Sequence, residues 1–475
     1  MNWVLGIYEC HDASVALVSE TRMIHLPLER WTRRRHDAGQ IDALIPLACR
    51  QAGIALADID AIAVAGPSMR YESEWSSLMD LGRHSFTLPD GTVRPVLSVP
   101  HHRAHAAYAQ CTAPWLPDAV VTIDGGGDAV AGKTVSASLW PCAAAPIIPE
   151  ERSLGLAWNA LAERLWPDQH GTHTAGKLMA LAGVAEDRIP FGAAIQHEAW
   201  TLQDALTDQL ARFVTEALHG VPGRVALAGG VALNGIAVRA LLDRGVATAV
   251  HVPPAVSDEG LSIGAALVAR LEMGVGAWRK APADAVAFCG YTEPELVDDV
   301  PPDRVAAGLA SRKVIGVAHG CAESGPRALG HRSLLAASTS TALRDRVNRM
   351  KGREPWRPLA PAVLASAARA WFVLEDPDAY AFMTVIAPVR PEVRERIPGV
   401  VHDDGTARVQ CVPDDVWFGQ VLVALGERTG VPIVINTSLN VAGEAMPNTA
   451  EQARDTAQRL GVDVLICGKE IQCRR

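Results

Sequence analysis

Four side chains among the first 260 residues have the chemistry of a metal centre: His101, His105, Asp124 and Asp258. His101 and His105 stand four apart at a predicted helix start, Ser98-Val-Pro-His-His-Arg-Ala-His105. That spacing stacks both imidazoles on one helix face, where they could reach a single ion. His102 points about 100° away and is the poorer candidate. Asp124 ends the apolar run Ala119–Ile123, where a strand of an α/β sheet presents a carboxylate to a cleft. Asp258 opens a later helix, whose positive dipole end keeps it ionised. Spacing alone leaves a second reading open, with a surface histidine pair and Asp258 as an ordinary N-cap.

A different chemistry lies between Cys321 and Arg357. Eight basic residues (Arg327, Arg332, Arg344, Arg346, Arg349, Lys351, Arg353, Arg357) face three acidic ones (Glu323, Asp345, Glu354), so the stretch carries 8 − 3 = +5. The whole chain carries −9. Such a run is either an anion site or a solvated helix face. Glycines and prolines flank Arg327, Arg332, Lys351, Arg353 and Arg357, and rigid loops bearing guanidinium forks suit phosphate or carboxylate recognition. Arg344, Arg346 and Arg349 lack that setting and read as a solvated face. Downstream, Asn436-Thr-Ser-Leu-Asn440 ends a strand with hydroxyls and amides that suit a phosphate or acyl group, or simply a turn.

Positioning these groups requires alternating strands and helices. Strand, acidic turn and returning strand occur at Trp3–Val18 and again at Ala119–Trp140, which predicts a duplicated α/β unit. Helical patterns follow at Ser153–Trp166, Thr174–Leu181 and Trp200–His219, then a strand at Arg224–Ala228 and a helix at Leu233–Arg244. A strand near Ala247–Val252 leads to Asp258 and a helix running to about Glu272. The looser, proline-containing stretch Gly274–Pro302 places a domain boundary near residue 290, giving domains 1–290 and 291–475. The second domain reads as α+β, with strands near Val314–Ala318, Thr384–Pro388 and Pro432–Asn436 and a helix near Phe418–Gly426.

Composition bounds the function. The chain has 475 residues, 49% of them hydrophobic and 20% charged, which excludes a disordered or fibrous protein. Its acidic total argues against gripping nucleic acid through bulk charge. Nine cysteines, with no CxxC pair, suit neither a disulfide scaffold nor a zinc knuckle. Neither a leader pattern nor an apolar run of about 18 residues is seen, which predicts a cytoplasmic protein without membrane association. Aromatic residues are scarce, and the 12 tryptophans read as core, although Trp75, Trp158, Trp166 and Trp200 could also line a pocket.

The ordered motifs resemble one family. His101-x-x-x-His105, Asp124-Gly-Gly-Gly-Asp128, Gly229-Gly-Val-Ala-Leu-Asn234 and Ser257-Asp-Glu-Gly260 occur in the order found in the NodU/CmcH carbamoyltransferases. The Gly6–Ser14 turn and Gly176-Lys-Leu-Met-Ala-Leu-Ala182 are also similar. Gly-Pro-Arg-Ala-Leu-Gly-x-Arg-Ser, Lys-x-Arg-Glu-x-x-Arg-Pro-x-Ala-Pro and Asn-Thr-Ser-x-Asn resemble that family's C-terminal domain. The resemblance implies a TsaD-like domain of the actin-like ATPase (ASKHA) class, followed by a smaller YrdC-like α+β domain. It implies that His101, His105, Asp124 and Asp258 hold a divalent metal, iron(II) by family likeness, although the donor set suits several metals. His11 would act as general base on an acceptor hydroxyl; as a turn residue bonded to backbone it would need no such role. Gly125, Gly126, Lys177, Gly229, Gly230 and Asn234 would hold carbamoyl-adenylate in the first domain. Arg327, Arg332, Lys351, Arg353, Arg357, Asn436, Ser438 and Asn440 would bind nucleotide and carbamoyl phosphate in the second, with Lys351 and Arg353 catalytic.

The implied activity is O-carbamoyl transfer from carbamoyl phosphate, with ATP and Mg ion, to a hydroxyl of a small antibiotic-type acceptor through carbamoyl-adenylate. Two rival readings remain: a tRNA threonylcarbamoyl-type enzyme, disfavoured by the acidic total and the basic C-terminal domain, and a non-catalytic nucleotide-binding scaffold. The chain departs from the family at Thr172-His-Thr-Ala175, where an acidic residue usually precedes Gly-Lys. It departs also at Cys321, Ser324 and Leu439.

Overall fold

The computed structural model describes residues 2–66, 74–142, 144–169, 171–184, 191–279, 282–297 and 299–473, with the backbone alone for 171–173. Lys280, Ala281 and residue 298 of the predicted loose stretch lie outside the described residues. The chain forms two compact units, Met1–His173 with Asp204–Tyr291, and Thr174–Gln203 with Thr292–Arg475. Thr174–Gln203, expected within a 1–290 domain, therefore groups with the second unit, and one of the divisions falls inside the helix Ala193–Ala217. Both units are mixed α/β.

The first unit contains two sheets of related order. One runs Met23–Pro27, Ser14–Val18, Trp3–Tyr8, Ile59–Ala65, Val93–Val99, Gly82–Thr87. The other runs Ala137–Pro141, Ala119–Ile123, Gly223–Ala228, Ala247–His251. In each, an antiparallel hairpin is followed by two strands parallel to its first member. A bridge from Leu139 to Ile147 starts a third antiparallel strand beside the second hairpin, as Met23–Pro27 does beside the first. Strands buried along their whole length, such as Trp3–Tyr8 and Ala119–Ile123, read as continuous apolar runs because both faces are covered.

The helix Leu261–Glu272 is buried from Leu261 to Arg270. It closely approaches the helix His101–Thr112: a Cβ on Gly264 would lie 2.0 Å from the Ala104 carbonyl oxygen, so only glycine permits this contact. Arg270, buried at its end, donates from one guanidinium nitrogen to the carbonyls of Asn2 and Val18. This packing fixes the elements that carry His101, His105 and Asp258 relative to each other.

The second unit is built on a seven-stranded sheet, Gln410–Val412, Ala360–Leu364, Ile433–Ser438, Arg332–Ala337, Ile315–Ala318, Val464–Cys467, Glu470–Cys473. The sequence pattern located Ile315–Ala318 and Ile433–Ser438 but missed the five others. Ile386–Pro388, also expected, pairs instead with Thr406–Arg408 in a separate two-stranded ribbon. The helices Pro302–Ala310 and Trp417–Thr429 cover an apolar core that includes Val305, Leu309, Phe418, Leu422 and Val434. Trp75 and Trp158 are buried as expected, whereas Trp200 is 46% exposed. Among the described residues, no helix is long and apolar enough to cross a membrane.

Candidate metal centre and anion site

Three separate elements of the first unit bring His101, His105, Asp124 and Asp258 together, with one donor atom of each lying within 4.8 Å of the others. His105 Nε2 is 3.3 Å from both Asp124 Oδ2 and Asp258 Oδ1. His101 Nε2 is 3.8 Å and 3.5 Å from the same atoms. Both imidazoles are buried, and among the described residues neither ring nitrogen of either makes an aligned hydrogen bond. Buried polar atoms are rarely left so, and two imidazoles with two carboxylates suit a divalent cation. Burial pushes Asp124 up, but the close imidazoles of His101 and His105, and their charges, outweigh it and hold the carboxyl well below the usual range. Burial likewise opposes protonation of His105, yet Asp124 and Asp258 raise it to about 9. A metal-ligating imidazole must be neutral, so binding a cation here would release any proton His105 holds.

The supporting groups are local. Asp128 caps the histidine helix, accepting from the backbone amides of His101 at 2.7 Å and His102 at 3.1 Å. This contact satisfies two orphan donors and places a negative charge at the helix's positive end. His102 points to Ser138 Oγ, 3.0 Å from its Nδ1, which accounts for its separation from the cluster. Tyr8 donates from its hydroxyl to Asp258 Oδ2 at 2.8 Å. Asp124 accepts from the amides of Gly125 at 2.7 Å and Gly230 at 3.3 Å. Gly229 has φ 87°, and a Cβ there would come within 2.3 Å of the Ile123 carbonyl oxygen. The two glycine turns thus meet at Asp124. Gly126 lies in the same turn, whereas Asn234 caps the helix Gly235–Asp243 by accepting from the Ala237 amide.

His11 lies beside the donors. Its Nε2 is 3.4 Å from Asp258 Oδ2 and its Nδ1 3.0 Å from Asp12 Oδ2, with the side chain 58% exposed. The hydrogen bond to Asp12 raises His11 to about 9; burial opposes this and the charge of Asp258 adds to it. His36 Nδ1, 2.7 Å away, binds the other oxygen of Asp12.

The second unit concentrates the opposite charge. Lys351 Nζ donates to the Ser438 carbonyl, to Asn440 Oδ1 at 2.8 Å and to the Asn440 carbonyl at 3.0 Å. Arg353 donates to Thr437 Oγ1 at 3.3 Å. Lys351, Arg353, Ser438 and Asn440 are thus assembled around the end of the strand Ile433–Ser438. Burial, then the charges of Arg327, Arg353 and Arg357, depress Arg408 well below its usual value, so four guanidinium groups lie within electrostatic reach. Among the described residues, no carboxylate pairs with Arg408. Of the four, Arg357 is balanced in part by Glu354, 3.5 Å from its guanidinium.

Two expected anion ligands have other work. Arg332 is fully buried and donates to the carbonyls of His319 at 2.7 Å, Asn448 at 2.9 Å and His331 at 3.0 Å. Its expected phosphate contact is corrected accordingly: the guanidinium braces the Gly320–His331 loop. Glu323 Oε1 completes the brace by accepting the amides of Leu329, His331 and Arg332. Asn436 is buried and donates to Gln410 Oε1 at 2.7 Å and the Ala328 carbonyl at 3.1 Å, so it anchors the residue after Arg327. Lys177, expected in the first domain, belongs to the second unit, where its Nζ lies 2.8 Å from Glu354 Oε1. Arg346 pairs with Asp463 and Arg344 with Asp345, in line with a solvated face.

Sequence reasoning missed Tyr8, the capping role of Asp128, and Arg408. Tyr8 sits inside the Gly6–Ser14 motif, but nothing in its spacing marks it as a partner of Asp258, some 250 residues on; Arg408 lies in a short strand far from the motifs. The strand end at Asn436 gave no sign of Arg408, because its ribbon is joined to the site only through the fold. Asp128 was visible as part of Asp124-Gly-Gly-Gly-Asp128, and its separation from His101 in sequence concealed the cap.

Comparison with known proteins places these two sites in context. The family model described as "Carbamoyltransferase C-terminus" matches residues 306–474, and "Carbamoyltransferase N-terminus" matches residues 202–267. Nodulation protein NolNO of Sinorhizobium fredii is 30% identical over 98% of this chain and 79% of its own length. Nodulation protein U of the same organism is 27% identical over 95% of this chain and 96% of its own. Among solved structures, T. kodakarensis HypF is similar with a TM-score of 0.34 and 14% identity, over 60% of this chain and 48% of that one. P. abyssi Sua5 complexed with L-threonine is similar with a TM-score of 0.26 and 16% identity, over 36% of this chain and 47% of that one. The chain spans about half or less of the solved chains it resembles.

Proposed function

Because this chain belongs to the carbamoyltransferase family, we propose that it is an ATP-dependent O-carbamoyltransferase acting on a hydroxyl of a small natural product. The observation that carries the reading is the convergence of His101, His105, Asp124 and Asp258 within 4.8 Å, in a chain whose other unit gathers Arg327, Arg353, Arg357 and Arg408. The first unit is read as TsaD-like and actin-like in class, and the second as YrdC-like.

In the second unit, water, carbamoyl phosphate and ATP give carbamoyl-adenylate, phosphate and pyrophosphate. Lys351 and Arg353, with Arg357, Arg327 and Arg408, neutralise the phosphates, and Ser438 and Asn440 hold the Lys351 ammonium in place. In the first unit, the acceptor oxygen bonds to the carbamoyl carbon and AMP leaves. A divalent cation held by His101, His105, Asp124 and Asp258 supplies Lewis-acid polarisation of the carbonyl when bound. Tyr8 fixes the Asp258 carboxylate, and the Gly125 and Gly230 amides fix that of Asp124. Asp12 holds the His11 ring through Nδ1, leaving Nε2 as the atom that would take the hydroxyl proton.

The test is pyrophosphate release from ATP and carbamoyl phosphate, run with a panel of hydroxylated acceptors. The reading expects release that depends on both substrates, together with an acceptor that gains one carbamoyl group. No pyrophosphate under any combination would overturn the adenylate route.

A further inference from the structure

His36 follows Arg33-Arg34-Arg35, a run that composition alone reads as solvated surface. In the structure its half-buried imidazole is aimed at a carboxylate of the first unit's site. His36 Nδ1 is 2.7 Å from Asp12 Oδ1, while His11 Nδ1 is 3.0 Å from Asp12 Oδ2. Asp12 is buried, so two imidazoles hold one carboxylate, each by its own oxygen. Burial pushes the Asp12 carboxyl up, but the hydrogen bonds from His11 and His36 outweigh it and hold it well below the usual range. An ionised carboxylate only accepts, so both rings donate from Nδ1.

The loop bearing His36 is anchored without its imidazole. The His36 amide donates to Glu29 Oε2 at 3.0 Å, and the Asp37 carbonyl accepts the Ala13 amide at 3.0 Å. The Ala13 carbonyl in turn accepts the Leu28 amide at 2.8 Å. These bonds clamp the loop to the Asp12 turn and deliver the ring to the carboxylate. His36 and Asp12 both stand at positive φ, 54° and 65°, a conformation rare outside glycine that persists where the surroundings impose it. Asp258 is the weaker clamp for His11, because its Oδ2 is 3.4 Å from Nε2 and already accepts the Tyr8 hydroxyl at 2.8 Å. The largely exposed His11 ring therefore takes its orientation from Asp12, whose other oxygen is held by His36.

We propose that His36 is a positioning residue of the first unit's site, fixing the Asp12 carboxylate so that His11 presents Nε2 beside Asp258. Without the imidazole, one oxygen of a buried carboxylate loses its donor, and the group turns to recover one. The His11 ring then loses its fixed Nδ1 contact. The effect on catalysis rests on the reading of His11 as the group that takes the acceptor's hydroxyl proton; the positioning itself does not.

The experiment compares the full-length chain with His36→Leu, His36→Asn, His11→Ala and the double variant His11→Ala/His36→Leu. An asparagine amide nitrogen can stand in for Nδ1 and keep the bond to Asp12, whereas leucine cannot. Carbamoyl transfer is measured against a panel of hydroxylated acceptors, with pyrophosphate followed in the same reactions. His36→Leu should lower kcat for transfer on the order of 100-fold, with pyrophosphate still released and KM for the acceptor changed less than about threefold. His36→Asn should recover transfer to within about threefold of the parent. Added to His11→Ala, His36→Leu should cost less than about twofold more, because it acts through that ring. Equal losses in the leucine and asparagine variants, or a full further loss on top of His11→Ala, would mark a merely structural histidine and overturn the proposal. So would a His36→Leu chain that fails to fold. Crystal structures give a readout apart from activity: the His11 ring should leave Asp12 in His36→Leu and stay in His36→Asn, and an unmoved ring in His36→Leu would overturn the positioning role. Should the parent carbamoylate no acceptor, or His11→Ala transfer as well as the parent, the reading of His11 fails, and the crystal structures alone still decide whether His36 positions it.

Discussion

The two units gather opposite charge by different means. In the first, two buried imidazoles and two carboxylates face one point, held by regular elements: a helix start, a strand end and a second helix start. In the second, guanidinium groups from two loops and a ribbon gather near a strand end, braced by Arg332 and Glu323 acting on backbone. The first arrangement wants a cation and the second an anion. The difference shows how the average of −9 conceals one strongly cationic locality.

The sharpest way to break this contrast is to remove a donor from the first site. His105→Ala should abolish stoichiometric binding of a divalent metal, read by elemental analysis of the purified protein, and lower carbamoyl transfer by about 1000-fold or more. Phosphate binding by the second unit should be unchanged.

Both units hold histidines whose protonation burial opposes. Burial lowers His25 and His402 to about 4 and His331 to about 3, so these side chains are neutral when folded. In the unfolded chain each takes a proton near pH 6.5. The unfolded state therefore binds more protons in this window, and stability is full above about pH 6.5 and is lost as pH falls towards 4. For His25, fully buried with Nε2 2.7 Å from the Glu259 carbonyl, the loss is on the order of 3 kcal/mol. Denaturant midpoints measured from pH 7 to 4 should fall accordingly, and His25→Gln should flatten part of that slope.

A smaller effect sharpens the anion side. Arg408→Met should weaken phosphate affinity about tenfold, the order of one charge-assisted hydrogen bond. The same substitution should raise the thermal midpoint in the absence of phosphate, because a half-buried cation facing three like charges is relieved. A lowered midpoint would mean that Arg408 is structural.

The sequence made the first site legible because its donors sit at predictable places. A four-residue spacing on a helix and a carboxylate at a strand end are local signals, and His101, His105, Asp124 and Asp258 meet as the motif order suggested. The second site was legible only as a run of charge. Composition separates neither Arg332, which is consumed by backbone carbonyls, nor Arg346, which is consumed by Asp463, from the arginines near the strand end. Lys177 and Arg408 were misplaced or missed because their contacts cross more than 50 residues of intervening chain and are made by tertiary folding. The seven-stranded sheet was under-read for a related reason: short strands such as Gln410–Val412 have too few residues to establish a period.

The claim that two chemically opposite sites perform separable steps is tested most directly in His105→Ala. Pyrophosphate and carbamoylated acceptor would be measured in the same reaction with ATP, carbamoyl phosphate and an acceptor competent with the parent. The account predicts continued pyrophosphate release with carbamoylated acceptor reduced by about 1000-fold or more. Parallel loss of both products, or retention of transfer, would contradict it.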